Sequence, residues 1–294
     1  MRRLAIVLLL FSNERALADS HWTSVEKALG RPGVVQGEAL QIAFPRTDLN
    51  VVVQGYPLDS ANVLVSRFTF RPGPAGTSKK DSLEGRVYLL DVEVAKALAE
   101  AAKEGLEVTA LYDPFLGESP SMKCLVLKGQ GSRSNLAREA GGVLAATGTP
   151  MDPPTSDPKP ADASSQADPL PHPNTWGDVQ NLLGPGEEKG STLLYIWEVK
   201  NKTASLSIQS HGKDTTVCGE LALPEGSSKS LVDELLQRHF AIATVFTENS
   251  GDASRNIVDF WAVGDKKKLA GDLKGILAQE ELLDPRGVGW VESR

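Results

Sequence analysis

Apolar and polar residues alternate through several stretches of the chain, and segments with helical spacing lie between them. In the first half, Val63 to Phe70 and Arg86 to Leu90 alternate with a period of two, which predicts strands. From Asp91 to Gly105, apolar residues recur every three or four positions and a glycine closes the segment, so a helix is predicted. In the second half, Ala241 to Phe246 and Ile257 to Trp261 are again predicted strands.

Two more strands, Leu106 to Leu111 and Met122 to Leu127, and a helix from about Ser134 to Ala146 are predicted after Gly105. From Arg86 onward the order is therefore strand, helix, strand, strand and helix, and the second half repeats it. Such an order is typical of an α+β protein in which helices cover one face of an antiparallel-rich sheet. The sequence therefore predicts two repeated ferredoxin-like sandwich domains. It leaves open whether the two sheets pack on each other or join edge to edge.

The two halves also share short stretches of residues in the same order and at the same spacing, which indicates that the chain is a tandem duplication. Trp, Val, Leu and Gly recur near the start of each half, a Gly followed two residues later by Leu-Ala recurs near its end, and a longer ungapped stretch lies between. The matching pairs are Trp22 to Gly30 with Trp176 to Gly184, Gly85 to Tyr112 with Gly219 to Phe246, and Gly142 to Ala145 with Gly275 to Ala278.

A proline-rich stretch separates the halves. It contains eight prolines among Asp, Ser and Ala, and such a segment neither forms a helix nor pairs in a sheet. We therefore predict repeat domains over residues 19–148 and 175–294, joined by a linker over residues 149–174.

The first 18 residues have the pattern of a signal peptide. Arg2 and Arg3 precede an apolar run from Leu4 to Phe11, and Ala16 and Ala18 supply the small residues of a cleavage site. The alternative is a buried N-terminal helix. We expect the mature chain to be exported, either periplasmic or secreted, and to contain no transmembrane segment.

Composition narrows the classes of partner. The chain has 294 residues and a formal net charge of -7, so it gains no electrostatic attraction to phosphate backbones. Nucleic acid is therefore excluded as an expected partner, and we expect an envelope or extracellular ligand instead. No Gly-x-Ser-x-Gly motif or phosphate-binding glycine loop is present in the sequence.

Four stretches of the sequence carry a resemblance to a known family: Trp22 to Arg46, Gly105 to Leu111, Glu118 to Pro120, and Phe260 to Ala262. They resemble a bacterial domain family of unknown function that includes the mycobacterial LppY/LpqO lipoproteins. The resemblance covers nearly the whole chain outside the leader and linker. It implies a twinned domain and carries no established activity.

The resemblance also implies a set of histidine positions on two neighbouring strands, which together would suit a transition metal. This chain has no histidine at any of them. In the first half, those positions are occupied by Tyr112, Pro114, Val126, Lys128 and Gln130. In the second half they are occupied by Phe246, Glu248 and Asp259.

Glu248 and Asp259 are the acidic residues among these positions. One interpretation is a pair of solvated carboxylates at strand ends, and another is a weak cation site or an acid/base pair. We take Glu248, Asp259 and Trp261 as candidate ligand-binding residues, although a Trp in a strand is more typical of a core. We expect no cofactor, and if a divalent metal binds, Glu248 and Asp259 are its expected ligands.

Two cysteines, Cys124 and Cys218, occupy different positions in the two halves. A disulfide between them would have to join the domains, and buried thiols are the alternative. With the family histidines replaced and no other catalytic motif present, we predict a non-catalytic binding or envelope-associated module. The alternative is a metal-dependent or acid/base hydrolytic enzyme with its site in the second half.

Overall fold

The computed structural model describes residues 22–73, 80–152, 176–250 and 253–283. The predicted signal peptide and most of the predicted linker lie outside these residues. The described chain is an α+β structure with antiparallel strand pairs, as the sequence predicts. It divides into two compact units, and the second unit includes residues 49–64 and 112–122 from the first half of the chain.

The first half contains nine strands and three helices within the residues described. Residues 22–29 form helix α1. The strands are β1 (Val34–Gln36), β2 (Ala39–Pro45), β3 (Val52–Val53), β4 (Tyr56–Pro57), β5 (Val65–Arg71), β6 (Asp81–Leu90), β7 (Glu107–Tyr112), β8 (Glu118–Ser119) and β9 (Met122–Gly131), and the further helices are α2 (Asp91–Glu104) and α3 (Arg133–Ala145).

The second half contains six strands and three helices over its described residues. They are α4 (Gly177–Leu183), β10 (Glu187–Lys189), β11 (Thr192–Val199), β12 (Lys202–His211), β13 (Asp214–Pro224), α5 (Ser228–Gln237), β14 (Ala241–Ser250), β15 (Ala253–Gly264) and α6 (Lys266–Gln279).

Each half contributes one six-stranded sheet. The order of strands is β1-β2-β5-β6-β9-β7 in the first sheet and β10-β11-β12-β13-β15-β14 in the second. If the strands of each sheet are numbered 1 to 6 along the chain, both sheets have the order 1-2-3-4-6-5. In the second sheet, β11, β12, β13 and β15 pair as antiparallel neighbours in register.

The core of the first unit lies between one face of its sheet and the three helices. Alternate residues of β2, β5 and β6 point into it, because successive side chains in a strand point to opposite faces. Leu40, Ile42 and Phe44 of β2 are fully buried there, and Ala97 and Ala101 of α2 pack against the same cluster.

A fully buried arginine links three elements of the first unit. Arg46, directly after β2, pairs with Asp48 and Glu93 at 2.9 Å and donates to the Tyr88 carbonyl. Glu93 also accepts a hydrogen bond from the backbone N–H of Leu90, the residue before α2, so the same carboxylate holds the start of α2 to Arg46. The ion pairs and hydrogen bonds compensate for burying the charge.

The core of the second unit has the same arrangement. Leu206 and Ile208 of β12 point toward the helices, and Leu235 of α5 and Leu273 of α6 meet them. Helix α6 begins at Asp265, whose carboxylate accepts a hydrogen bond of 2.8 Å from the Lys268 backbone N–H.

A separate three-stranded sheet belongs to the second unit. Its order is β4-β3-β8, and Val52 pairs with Pro57 on one side and Ser119 on the other. Strand β3 has only two residues because the chain reverses at Gln54 and Gly55, which both have positive φ, and returns as β4.

Candidate functional site

The second sheet has a face that points away from its helices, and this face carries polar side chains. Directly paired residues on neighbouring strands share a face. In one row across the sheet, Ser205, Glu220, Asp259 and Thr244 are successive partners. We call this surface of the second sheet the polar face.

The next row of the polar face contains Ser207, Cys218 and Trp261, again as successive partners on β12, β13 and β15. Trp261 is 2% exposed, so it is buried, as expected of a large aromatic residue in a strand. It lies on the opposite face from Phe260, which belongs to the core under the helices.

Residues 112–117 pack on one side of the polar face. The Phe115 ring meets the Trp261 ring edge-on at 6.4 Å between centroids, and the Tyr112 ring meets the Phe246 ring at 5.0 Å. The Thr244 hydroxyl donates to the Asp113 carbonyl at 2.8 Å. Aromatic contacts and a hydrogen bond therefore hold this segment to β14 and β15.

Residues 56–59 pack on the other side. The Asp59 backbone N–H donates to Gln209 Oε1 at 3.0 Å, and the Thr192 hydroxyl donates to the Asp59 carboxylate at 2.7 Å. The Tyr56 hydroxyl donates to Asp214 at 2.9 Å, which raises the pKa of Tyr56. This segment is held by hydrogen bonds at the hairpin end of β12 and β13.

His211 lies at the same hairpin end. Its ring is 5.2 Å from the Tyr56 ring, and its Nε2 is within 3.0 Å of the Thr216 hydroxyl. Burial lowers the pKa of His211, and the charge of Asp214 acts in the opposite direction. Sequence analysis gave His211 no role, because its partners are distant in the chain or on the neighbouring strand.

The two acidic candidates do not form a pair. Asp259 is the direct partner of Thr244, and Glu248 lies four residues farther along β14. At about 3.3 Å per residue, the two positions are about 13 Å apart. Glu248 instead faces Arg255, with its carboxylate 3.9 Å from the guanidinium.

The carboxylate nearest to Asp259 in the register is Glu220, which sequence analysis missed. Glu220 and Asp259 are direct partners across β13 and β15. The signal was a charged residue within the alternation Thr216, Cys218, Glu220, whose other members are uncharged. Only the strand register shows that this position lies opposite Asp259.

Both cysteines are thiols rather than a disulfide. Cys124 is buried, and Cys218 is half-buried on the polar face. Burial raises the pKa of the Cys218 thiol, and the nearby charge of Asp259 raises it further. Cys218 is therefore held in its neutral, unreactive form.

Four further positions where the resemblance implies histidine lie in the first half. Pro114 and Val126 are buried there, Lys128 is half-buried and Gln130 is exposed at the end of β9. Among the described residues, no group of three or more His, Cys, Asp or Glu side chains is arranged to hold a metal ion. None of the described helices has the length and apolarity that a membrane-spanning helix requires.

Residues 23–146 match a family of unknown function. The matching family model is described as Domain of Unknown Function (DUF1259). No curated protein matches the sequence.

Some solved structures have a weak similarity to the chain. A trimeric bacterial microcompartment shell protein, PduB, aligns with 83% of this chain and 90% of its own at 11% identity and a TM-score of 0.20. EtuB from Clostridium kluyveri aligns over 84% and 90% at 11% identity and a TM-score of 0.21. The TP0453 structure aligns over 85% and 96% at 11% identity and a TM-score of 0.16.

Proposed function

We propose that the chain is a non-catalytic binding module. The observation that supports it most is the contact between Tyr112 and Phe246. These residues occupy the first family histidine position in each half, and their rings lie 5.0 Å apart. Two aromatic rings that pack together in this way fill the space around these two positions with apolar surface, and they offer no metal ligand there.

The proposal includes an origin by tandem duplication of one ferredoxin-like domain related to the LppY/LpqO lipoproteins. The identical strand order of the two six-stranded sheets supports it. Gly85 and Gly219 align in sequence, and each lies against a phenylalanine ring, although Phe68 is on β5 and Phe260 is on β15. A side chain at either glycine would collide with that ring.

We further propose that residues 1–18 are a signal peptide and that the mature protein is periplasmic or secreted. The charged start and the apolar run from Leu4 to Phe11 support this. The partner would then be an envelope or extracellular ligand rather than nucleic acid, in keeping with the net charge of -7.

In this proposal the ligand is enclosed at the polar face of the second sheet rather than on an open surface, because Asp259, Trp261 and Glu248 are 9%, 2% and 9% exposed. No cofactor takes part. The support is chemical: the face combines carboxylates, hydroxyls and aromatic rings, which is the mixture that binding sites for small molecules use.

Metal content is the first test. The purified mature protein, residues 19–294, is analysed for bound metal, and its melting temperature is measured with and without EDTA. We expect no stoichiometric metal and no shift on adding EDTA. A near-stoichiometric metal whose removal lowers the melting temperature would contradict the proposal, because a bound ion stabilises the folded state by mass action.

The second candidate function is hydrolysis by an acid/base or metal-dependent site around Asp259. The direct pairing of Asp259 with Glu220 across β13 and β15 favours it, because an acid/base site needs two such side chains on the same face of the sheet.

This candidate is tested by hydrolysis of chromogenic esters and phosphate esters. Asp259→Asn should abolish any turnover if Asp259 is the acid or base, whereas Asp233→Asn, on the exposed side of α5, should leave it unchanged. A wild-type protein without turnover on these substrates supports the binding module. Turnover that Asp259→Asn abolishes supports the enzyme.

A further inference from the structure

Ser207, Cys218 and Trp261 form one row on the polar face. Ser207 is the direct partner of Cys218, and Cys218 is the direct partner of Trp261. Their side chains therefore point to the same side of three neighbouring strands. That side is opposite to the core, because the adjacent residues Leu206 and Phe260 belong to the cluster under the helices.

Two polar atoms in this row are buried without a hydrogen-bond partner. They are the Ser207 hydroxyl oxygen and the Trp261 indole nitrogen. Ser207 is 8% exposed and Trp261 is 2% exposed, so bulk water does not satisfy them. Buried polar atoms in folded proteins nearly always have a partner, since leaving one unpaired costs free energy.

The row defines what kind of partner would fit. Trp261 Nε1–H only donates, so the partner must offer an acceptor, and the Ser207 hydroxyl either donates or accepts. The Cys218 thiol between them is neutral, and the carboxylate of Asp259 in the next row disfavours an anion. The Phe115 ring against Trp261 limits the space on that side.

We propose that Ser207 and Trp261 bind an internal cluster of water, the guest of the row that they share with Cys218. Water fits this row, because it accepts from an indole N–H and exchanges hydrogen bonds with a hydroxyl. Sites with two or more polar partners are where proteins hold internal water. The site does not depend on whether the chain is a binding module or an enzyme.

The guest would link the strands on either side of β13. Ser207 lies on β12 and Trp261 on β15, and each is one strand away from Cys218. Hydrogen bonds to one internal cluster of water would connect these strands through side chains, in addition to the backbone ladder.

The first test compares the melting temperatures of Ser207→Ala and wild type. If the hydroxyl bonds to a guest, its removal loses a hydrogen bond and the melting temperature falls by about 2–4 °C for a chain of this size. If the hydroxyl is unsatisfied, its removal relieves a penalty, and a rise in melting temperature would overturn the proposal.

Ser205→Ala is the matched control. Ser205 lies two residues earlier on the same strand and the same face, and it is half-buried. It should shift the melting temperature by less than Ser207→Ala does. An equal fall in both variants would show a general loss of polar packing and would overturn the guest site.

The second test is a high-resolution crystal structure of the wild-type protein. We expect ordered solvent within hydrogen-bond distance of Ser207 Oγ and of Trp261 Nε1. Trp261→Phe, which keeps a ring against Phe115 and removes the N–H, should lose the solvent next to residue 261. Well-ordered density for both side chains without such solvent would overturn the proposal.

Discussion

Buried polar side chains in this protein differ in whether other protein groups supply their hydrogen-bond and charge partners. Arg46 is fully buried and has two carboxylates and a carbonyl around its guanidinium. Ser207 and Trp261 are buried with one polar atom each unpaired. The first arrangement stabilises the fold of the first unit by itself, whereas the second requires a partner that the protein side chains do not supply.

Glu93 should make stability depend on pH at the acidic end. Burial alone would raise the pKa of Glu93, but hydrogen bonds from Arg46 and from the backbone N–H groups of Leu90 and Gly148 outweigh it and lower the pKa. Because the folded pKa lies below the unfolded one, Glu93 adds stability above about pH 4.5, and this contribution is lost as the pH falls through the folded pKa.

We therefore expect Glu93→Gln to reduce the free energy of unfolding by about 1.5–3 kcal/mol at neutral pH, through loss of charge-assisted hydrogen bonds. Its stability should also fall less steeply than that of the wild type between pH 5 and pH 3. Urea unfolding across that range measures both. Glu38→Gln, in the exposed turn after β1, should change neither the free energy of unfolding nor its pH dependence. If the stability of Glu93→Gln fell as steeply as that of the wild type between pH 5 and pH 3, the lowered pKa of Glu93 would be contradicted.

At the scale of elements, close strand packing depends on residues without side chains. Gly219 of β13 is the direct partner of Phe260, and a Cβ at this position would meet the Phe260 ring and come within 2.7 Å of the Leu206 side chain. The absence of a Cβ therefore lets the aromatic ring lie across the strand. Sequence analysis aligned Gly85 with Gly219, and the structure provides the physical reason for a glycine at both.

We expect Gly219→Ala to destabilise the protein by about 1–3 kcal/mol, because the core would have to shift to accept the extra methyl group. Gly271→Ala is the control for the same substitution in open space. Gly271 lies in α6, where an added Cβ would meet no heavy atom within 4 Å outside the helix's own backbone, so alanine there should stabilise by up to about 1 kcal/mol. Chemical denaturation measures both changes in the free energy of unfolding. A decrease for Gly219→Ala and an increase for Gly271→Ala would support close packing at Gly219, and no change for Gly219→Ala would contradict it.

At the scale of the whole molecule, the second unit is not continuous in sequence. Residues 49–64 and 112–122 come from the first half of the chain and belong to the second unit. They bring Tyr56, Asp59 and Phe115 onto the polar face. The second sheet therefore depends on the first half of the chain to bury that face.

Asp59→Ala should loosen this arrangement. Asp59 accepts from the hydroxyl of Thr192, which is fully buried, so the substitution leaves that hydroxyl unpaired at a cost of about 1–3 kcal/mol. Hydrogen exchange should increase in residues 56–59. Asp233→Ala, whose carboxylate pairs with Lys229 on an exposed surface, should have little effect. Unchanged exchange in Asp59→Ala would show that this contact does not hold the segment.

The sequence by itself determined the α+β class and the antiparallel pattern, because periodicity and helix caps are local properties of the chain. It also determined that residues 112, 246, 248 and 259 are not histidines, since residue identity requires no structure. Tertiary structure alone decided which of those residues meet. Tyr112 contacts Phe246, Asp259 lies opposite Glu220 in the strand register, and Glu248 lies apart from Asp259. The sequence does not show these relations, because strand register and the placement of residues 49–64 and 112–122 depend on contacts between residues far apart in the chain.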